Sequence, residues 1–172
     1  VFSNFISALL LFVNLLIFVL IPQNHNLAAA GEALTATLVF SVPFLLNRLQ
    51  WYTFCRLYLS CVPPLLISFY MISGMRQMEV IPVTYYDGLR YYLVACGVLP
   101  YLLLSRRELG WLPVAVAPSL LALLFCDQLF ALAGIGYAER GVQDAGYSHV
   151  WVRSIVAYFV ITGSSRTLRY LI

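Results

Sequence analysis

The sequence predicts an all-α integral membrane protein built as a bundle of six transmembrane helices. Hydrophobic residues make up 62% of its 172 residues and charged residues only 10%, too few to clothe a soluble domain of this size. The apolar sequence falls into six runs, most near the ~20 residues that cross a ~30 Å hydrocarbon core. A third observation is a recurrence. The order apolar residue, proline, aromatic, Leu-Leu, small polar residue, arginine occurs in Val42–Arg48 and again at the start of Leu99–Pro113, through Arg106. Each copy is followed by a tryptophan, Trp51 or Trp111, and then by a proline-bearing run, Pro63-Pro64 or Pro118. Such a pattern predicts a duplicated helical hairpin, formed by the second and third helices and by the fourth and fifth.

Taken in order, the first span is expected over residues 4–22, where Asn14 would bond a neighbouring helix because an unsatisfied amide in lipid is costly. A short polar loop leads to a second span over 28–46, with Glu32 in its first turns and Asn47 as its C-cap. The third span, 52–73, is bent at Pro63-Pro64, where two successive N–H groups are missing. Residues Gly74–Gly88 read as a polar connection. The fourth span covers 89–105 and ends in Arg106, Arg107 and Glu108. The fifth, 112–136, carries Pro118 and a lone carboxylate, Asp127. After a second polar connection comes a sixth span, 150–163, with residues 164–172 as an exit helix. Leu168, Leu171 and Ile172 are spaced there as in a helix heading for a coiled coil.

An even number of spans puts both ends of the chain on one side. Arg48, Arg56, Arg106, Arg107, Arg166 and Arg169 fall on that side, against Arg76, Arg90, Arg140 and Arg153 on the other, and the positive-inside rule then makes both termini cytoplasmic. Asn47, Arg48, Arg106 and Arg107 are the cytoplasmic corners of this topology. The basic balance, a net +3 carried by arginine without any lysine, is scattered over helix ends and forms no nucleic-acid patch. Val1 leads directly into apolar sequence with no basic leader or cleavage site, so the expectation is a segment of a longer protein.

Within the outer half, Asp127 stands out, because an ionised, unpaired carboxylate at that depth costs several kcal/mol. Its expected partners are Arg153, Arg90 and Glu32, which lie at compatible depth. The candidate ligand-binding cluster is therefore Glu32, Arg90, Asp127 and Arg153, walled by Tyr91 and Tyr92 together with Tyr85 and Tyr86. Plainer readings stand beside it: arginines snorkelling to headgroups, tyrosines in an interfacial belt, and a structural ion pair locking two helices. The four cysteines read as packing residues. A zinc site from His25 and His149 with Glu139 or Asp144 is the minor reading, and neither a metal nor any other cofactor is expected. No mid-helix histidine pair offers haem ligation. Motifs for hydrolases, metalloproteases and phosphate loops are missing, so no catalytic residue is assigned.

The corner Leu46-Asn47-Arg48, the aromatic and arginine after it (Tyr52, Arg56) and the stretch LPYLLLSRRE after the fourth span resemble the N-terminal membrane region of bacterial receptor proteins common in Bacteroidetes. One departure is Gln50, where that corner, LNRxG, carries glycine. In such receptors the last helix continues into a cytoplasmic coiled coil and a histidine kinase or nucleotidyl cyclase. The resemblance implies a signal-input and dimerisation domain in the bacterial inner membrane. It would act as a homodimer, sense a small or lipophilic ligand, and pass a helix shift to a signalling domain of the same chain. Two other classes fit the residues: a small oligomeric transporter or channel, since duplicated hairpins with bent helices also build alternating-access cores, and a ligand-free membrane anchor.

Overall fold

The computed structural model describes the backbone of residue 4 and residues 6–12, 27–136 and 147–171. The described residues form helices joined by turns, and no strand occurs among them. We label the helices α1 (Leu27–Arg48), α2 (Tyr52–Arg76), α3 (Val83–Cys96), α4 (Leu99–Leu103), α5 (Leu112–Leu124), α6 (Cys126–Leu132) and α7 (Tyr147–Leu171), with a 3-10 turn over Arg106–Trp111 between α4 and α5. Residues 6–12 are also helical. The chain divides into two compact units, Val1–Leu59 and Ser60–Ile172. Among the described residues two helical segments are long and apolar enough to cross a membrane, Tyr52–Arg76 and Arg106–Leu124.

In the first unit, α1 carries Pro43 in its interior. Proline has no N–H to give the carbonyl four residues back, and that carbonyl, on Val39, instead accepts the Tyr58 hydroxyl at 3.0 Å. The helix closes with a Schellman turn: the Gln50 N–H donates to the Asn47 carbonyl at 3.1 Å and the Trp51 N–H to that of Leu46 at 2.9 Å. This motif needs one residue in the left-handed region, and Gln50 takes it, with φ 62°. Asn47 is not the C-cap that its sequence position suggests. Helical geometry continues through Arg48, and the Asn47 amide donates to Oδ1 of Asn4.

The second unit departs from the expected spans in three places. The connection read over Gly74–Gly88 shrinks to six residues, because α2 continues to Arg76 and α3 starts at Val83, after Pro82 in extended geometry. The span expected over 89–105 starts earlier and is interrupted: α3 ends at Cys96, and a short α4 with Pro100 in its first turn follows. The span expected over 112–136 is likewise broken at Phe125 (φ −99°, ψ 17°) and stops at Leu132. There a second Schellman turn forms, with Gly134 at φ 71° and the Ile135 N–H on the Phe130 carbonyl at 3.0 Å. The span expected over 150–163 lengthens to α7, and residues 164–171 continue the same helix. Most of the span expected over 4–22, including Asn14, lies outside the described residues, as do His25, Glu139, Arg140, Asp144 and the side chain of His149.

The two corners of the recurring pattern close by different chemistry. Where the first uses a left-handed Gln50, the second is a capping box, in which the Ser105 N–H donates to Oε2 of Glu108 at 2.7 Å. Pro118 in α5 repeats the Pro43 device: it frees the Val114 carbonyl, which accepts the Cys61 thiol at 3.8 Å.

Two helices turn large apolar side chains outward. Helix α5 buries Ala115, Ser119, Ala122 and Leu123 and exposes Val114 and Leu121, with Phe125 exposed just past its end. Helix α7 buries Ser154, Tyr158 and Thr162 and exposes Val152, Val156, Phe159 and Val160. Small and hydroxyl-bearing residues at helix contacts with large apolar side chains outside are what lipid as solvent favours. Only 28% and 22% of the most apolar stretches of Tyr52–Arg76 and Arg106–Leu124 are buried, whereas a soluble core helix of that hydropathy would be mostly covered. The core of this unit joins Leu89, Leu93 and Val94 of α3 to Leu123, Cys126, Phe130 and Tyr158, with Met75 and Ile81 beside them.

Candidate functional site

The site grows out of the register of α3. Its buried positions are Tyr86, Leu89, Arg90, Leu93, Val94 and Cys96, the first five at the three-and-four spacing of a core-facing stripe. Arg90 therefore occupies a position where the pattern calls for an apolar residue, and it is fully buried. Its Nη2 donates to Oδ1 of Asp127 at 2.6 Å, the short separation of a charge-assisted bond. Asp127 is in the first turn of α6, just past the break at Phe125, and its side chain is 41% exposed.

One turn before Arg90, Tyr86 makes the second attachment. Its hydroxyl donates to the Ile135 carbonyl at 2.7 Å, and its ring meets Phe130 edge-on, with centroids 5.0 Å apart. Helix α6 is thus clamped to α3 at both ends, at its start by the ion pair and just past its end by a tyrosine that reaches a carbonyl fixed by the Gly134 turn. Two helix ends that would otherwise slide are held by two polar contacts.

Of the expected cluster, the structure brings together Arg90 and Asp127. Arg153 is exposed on α7 and takes no part in the pair. The side chain of Glu32 lies outside the described residues. Tyr91 and Tyr92 are 64% and 54% exposed, turned away because they follow a buried Arg90 by roughly 100° and 200° around the helix. They do not wall the pair, and of the four tyrosines only Tyr86 is buried. The snorkelling alternative for Arg90 fails for the same reason of register. At the corners, Arg48, Arg106 and Arg107 are exposed, while Asn47 is half-buried.

A second polar contact was not anticipated. Oγ of Ser119 donates to the Val116 carbonyl at 3.0 Å, so in its 2.9 Å contact with the Tyr158 hydroxyl the tyrosine is the donor. Gly97 makes room for that ring: a Cβ there would overlap Cε2 and stand 2.8 Å from Cζ. The signal was the placing of a glycine, a serine and a tyrosine in three separate apolar runs, which no single window reveals.

Chemically, the arrangement is an ion pair with one partner sealed in and the other open. Protonating or drawing away Asp127 would take the paired carboxylate from a buried guanidinium, a change costing several kcal/mol. No protein-family model, curated protein or solved structure matches this chain.

Proposed function

We propose that this chain is the membrane-embedded signal-input and dimerisation domain of a bacterial receptor, crossing the inner membrane six times with both ends in the cytosol. The observation that carries the reading is the Arg90–Asp127 pair, with Arg90 fully buried and Asp127 41% exposed. A group reachable from outside the bundle there controls the charge balance of one that is not.

Support for six crossings comes from length. Helices α1 and α7 contain 22 and 25 residues, enough to traverse the hydrocarbon core at ~1.5 Å per residue. The interrupted pairs α3 with α4 and α5 with α6 span comparable distances when each is taken as one broken helix. The large apolar side chains exposed on α5 and α7 support lipid as the surrounding solvent.

In this reading a small or lipophilic ligand, or a proton, acts on Asp127 and weakens its hold on Arg90. Helix α6 then shifts against α3, and the core they share with Tyr158 carries the shift to α7. As the exit helix of a homodimer, α7 hands it to a cytoplasmic kinase or cyclase module. The ligand moves the equilibrium only by its differential affinity for the two arrangements.

Spin labels at Leu168, exposed on α7, test this in the reconstituted dimer. Asp127→Asn should change the label-to-label distance distribution while the chain stays inserted and dimeric. An unaltered distribution would refute the role of the pair. A second reading, a small oligomeric transporter, draws on the two interrupted helices, a feature that transporters place around substrate. Solute flux in vesicles that the same substitution abolishes would favour it.

A further inference from the structure

The corner ahead of α5 carries features that neither the core nor the ion pair uses. Its capping box turns the Glu108 carboxylate back onto the Ser105 N–H at 2.7 Å, and both Arg106 and Arg107 are exposed. Trp111 follows, 50% exposed, and Val114, Leu121 and Phe125 are exposed to 52%, 50% and 52%.

Those four residues lie in one arc of about 80° at ~100° per residue, and the stripe runs for about 21 Å at ~1.5 Å per residue, more than the ~15 Å depth of one leaflet. The opposite face of α5 holds the packing residues Ala115, Ser119 and Ala122. The stripe is therefore apolar and half-exposed, with an indole at one end and two guanidinium groups just beyond it in the chain. That order matches a phospholipid read from tail to headgroup. An indole sits at headgroup level, and guanidinium groups hold phosphate oxygens through paired N–H donors.

We propose that this corner is a binding site for one acidic phospholipid, its phosphate held by Arg106 and Arg107 and its acyl chain lying along Trp111 to Phe125. Charge complementarity selects this occupant over a second copy of the chain, whose matching corner would bring like charges together. The proposal rests on the membrane reading above and not on the receptor role.

The full chain is reconstituted in nanodiscs of phosphatidylcholine with a minor share of phosphatidylglycerol, and retained lipid is counted by native mass spectrometry. Wild type should keep phosphatidylglycerol preferentially, and the double variant Arg106→Gln/Arg107→Gln should lose that preference by about tenfold, the equivalent of ~1.4 kcal/mol. Arg76→Gln, which removes an exposed arginine at the end of α2, should leave it intact. Brominated phosphatidylglycerol should quench Trp111 in a Trp51→Phe/Trp151→Phe background. The proposal is overturned if wild type shows no preference, if the double variant keeps it, if Arg76→Gln lowers it equally, or if Trp111 is covered by a second copy and escapes quenching. Carbonate washing separates the failures: retention with no lipid preference sinks this site alone, whereas release of the chain sinks the membrane reading with it.

Discussion

Asp127→Asn and Arg90→Met should not cost the same, although each removes one half of a single ion pair. At an effective dielectric near 20, two unit charges about 4 Å apart attract by about 4 kcal/mol. The open side of Asp127, 41% exposed, lets solvent or headgroups share that charge and lowers the pair's worth toward about 3 kcal/mol. Asp127→Asn leaves the fully buried Arg90 guanidinium without its counter-charge and should lose about 3 kcal/mol. Arg90→Met puts an apolar side chain on an apolar stripe and leaves a carboxylate that can reach solvent, so about 1 kcal/mol should go. Arg90→Met/Asp127→Leu should fall within about 1 kcal/mol of wild type, since well-packed apolar replacements of buried pairs are often neutral. Reversible unfolding in mixed micelles, followed by tryptophan fluorescence, gives all three values and their coupling. Equal losses for the two single variants, or additivity within ~0.5 kcal/mol, would refute the sealed-and-open description of the site.

The two Schellman turns predict opposite responses. Gln50→Gly should stabilise by about 1 kcal/mol by removing a left-handed non-glycine residue, while Gly134→Ala should destabilise by a similar amount, both measured by the same unfolding assay. Gly97→Ala should lower stability by about 1–3 kcal/mol through overlap with the buried Tyr158 ring, and Tyr158→Leu in that background should recover part of the loss. Tyr58→Phe deprives the Val39 carbonyl of its donor and should cost about 1–2 kcal/mol. In a Pro43→Ala background, where a backbone N–H is restored, the same change should cost less than about 0.5 kcal/mol.

The helical class and the neighbourhood of each turn could be read from composition and proline placement, because both act locally. Ser105 as a cap, Pro43, Pro63-Pro64 and Pro118 as helix-interior prolines, and the special demand on position 50 are of that kind. That Asp127 needs an opposite charge could be read too, since an isolated carboxylate in apolar sequence requires one at matching depth, but the sequence left Arg90 and Arg153 equally open. Register could not. Val83–Gly88, rich in tyrosine and β-branched residues, has weak helix propensity, yet packing against the core makes it helical. That moves Arg90 from a helix end to the third turn of α3 and carries Tyr91 and Tyr92 to the outside. The break at Phe125 escaped notice because phenylalanine is no helix breaker by composition, whereas the break after Cys96 sits at Gly97 and Pro100 and was legible there. Tyr86 was legible as an aromatic but not as a clamp, for its acceptor, the Ile135 carbonyl, is positioned by a glycine turn 49 residues further along the chain.

The most direct test of the account is the side of the membrane on which each end of the chain lies. Reporter tags fused ahead of Val1 and after Ile172 are scored for accessibility in intact cells and in inverted vesicles. Both tags sealed from the outside medium and both exposed in inverted vesicles is the result that six crossings require. One tag on each side would mean an odd number of crossings and would contradict the account at its foundation.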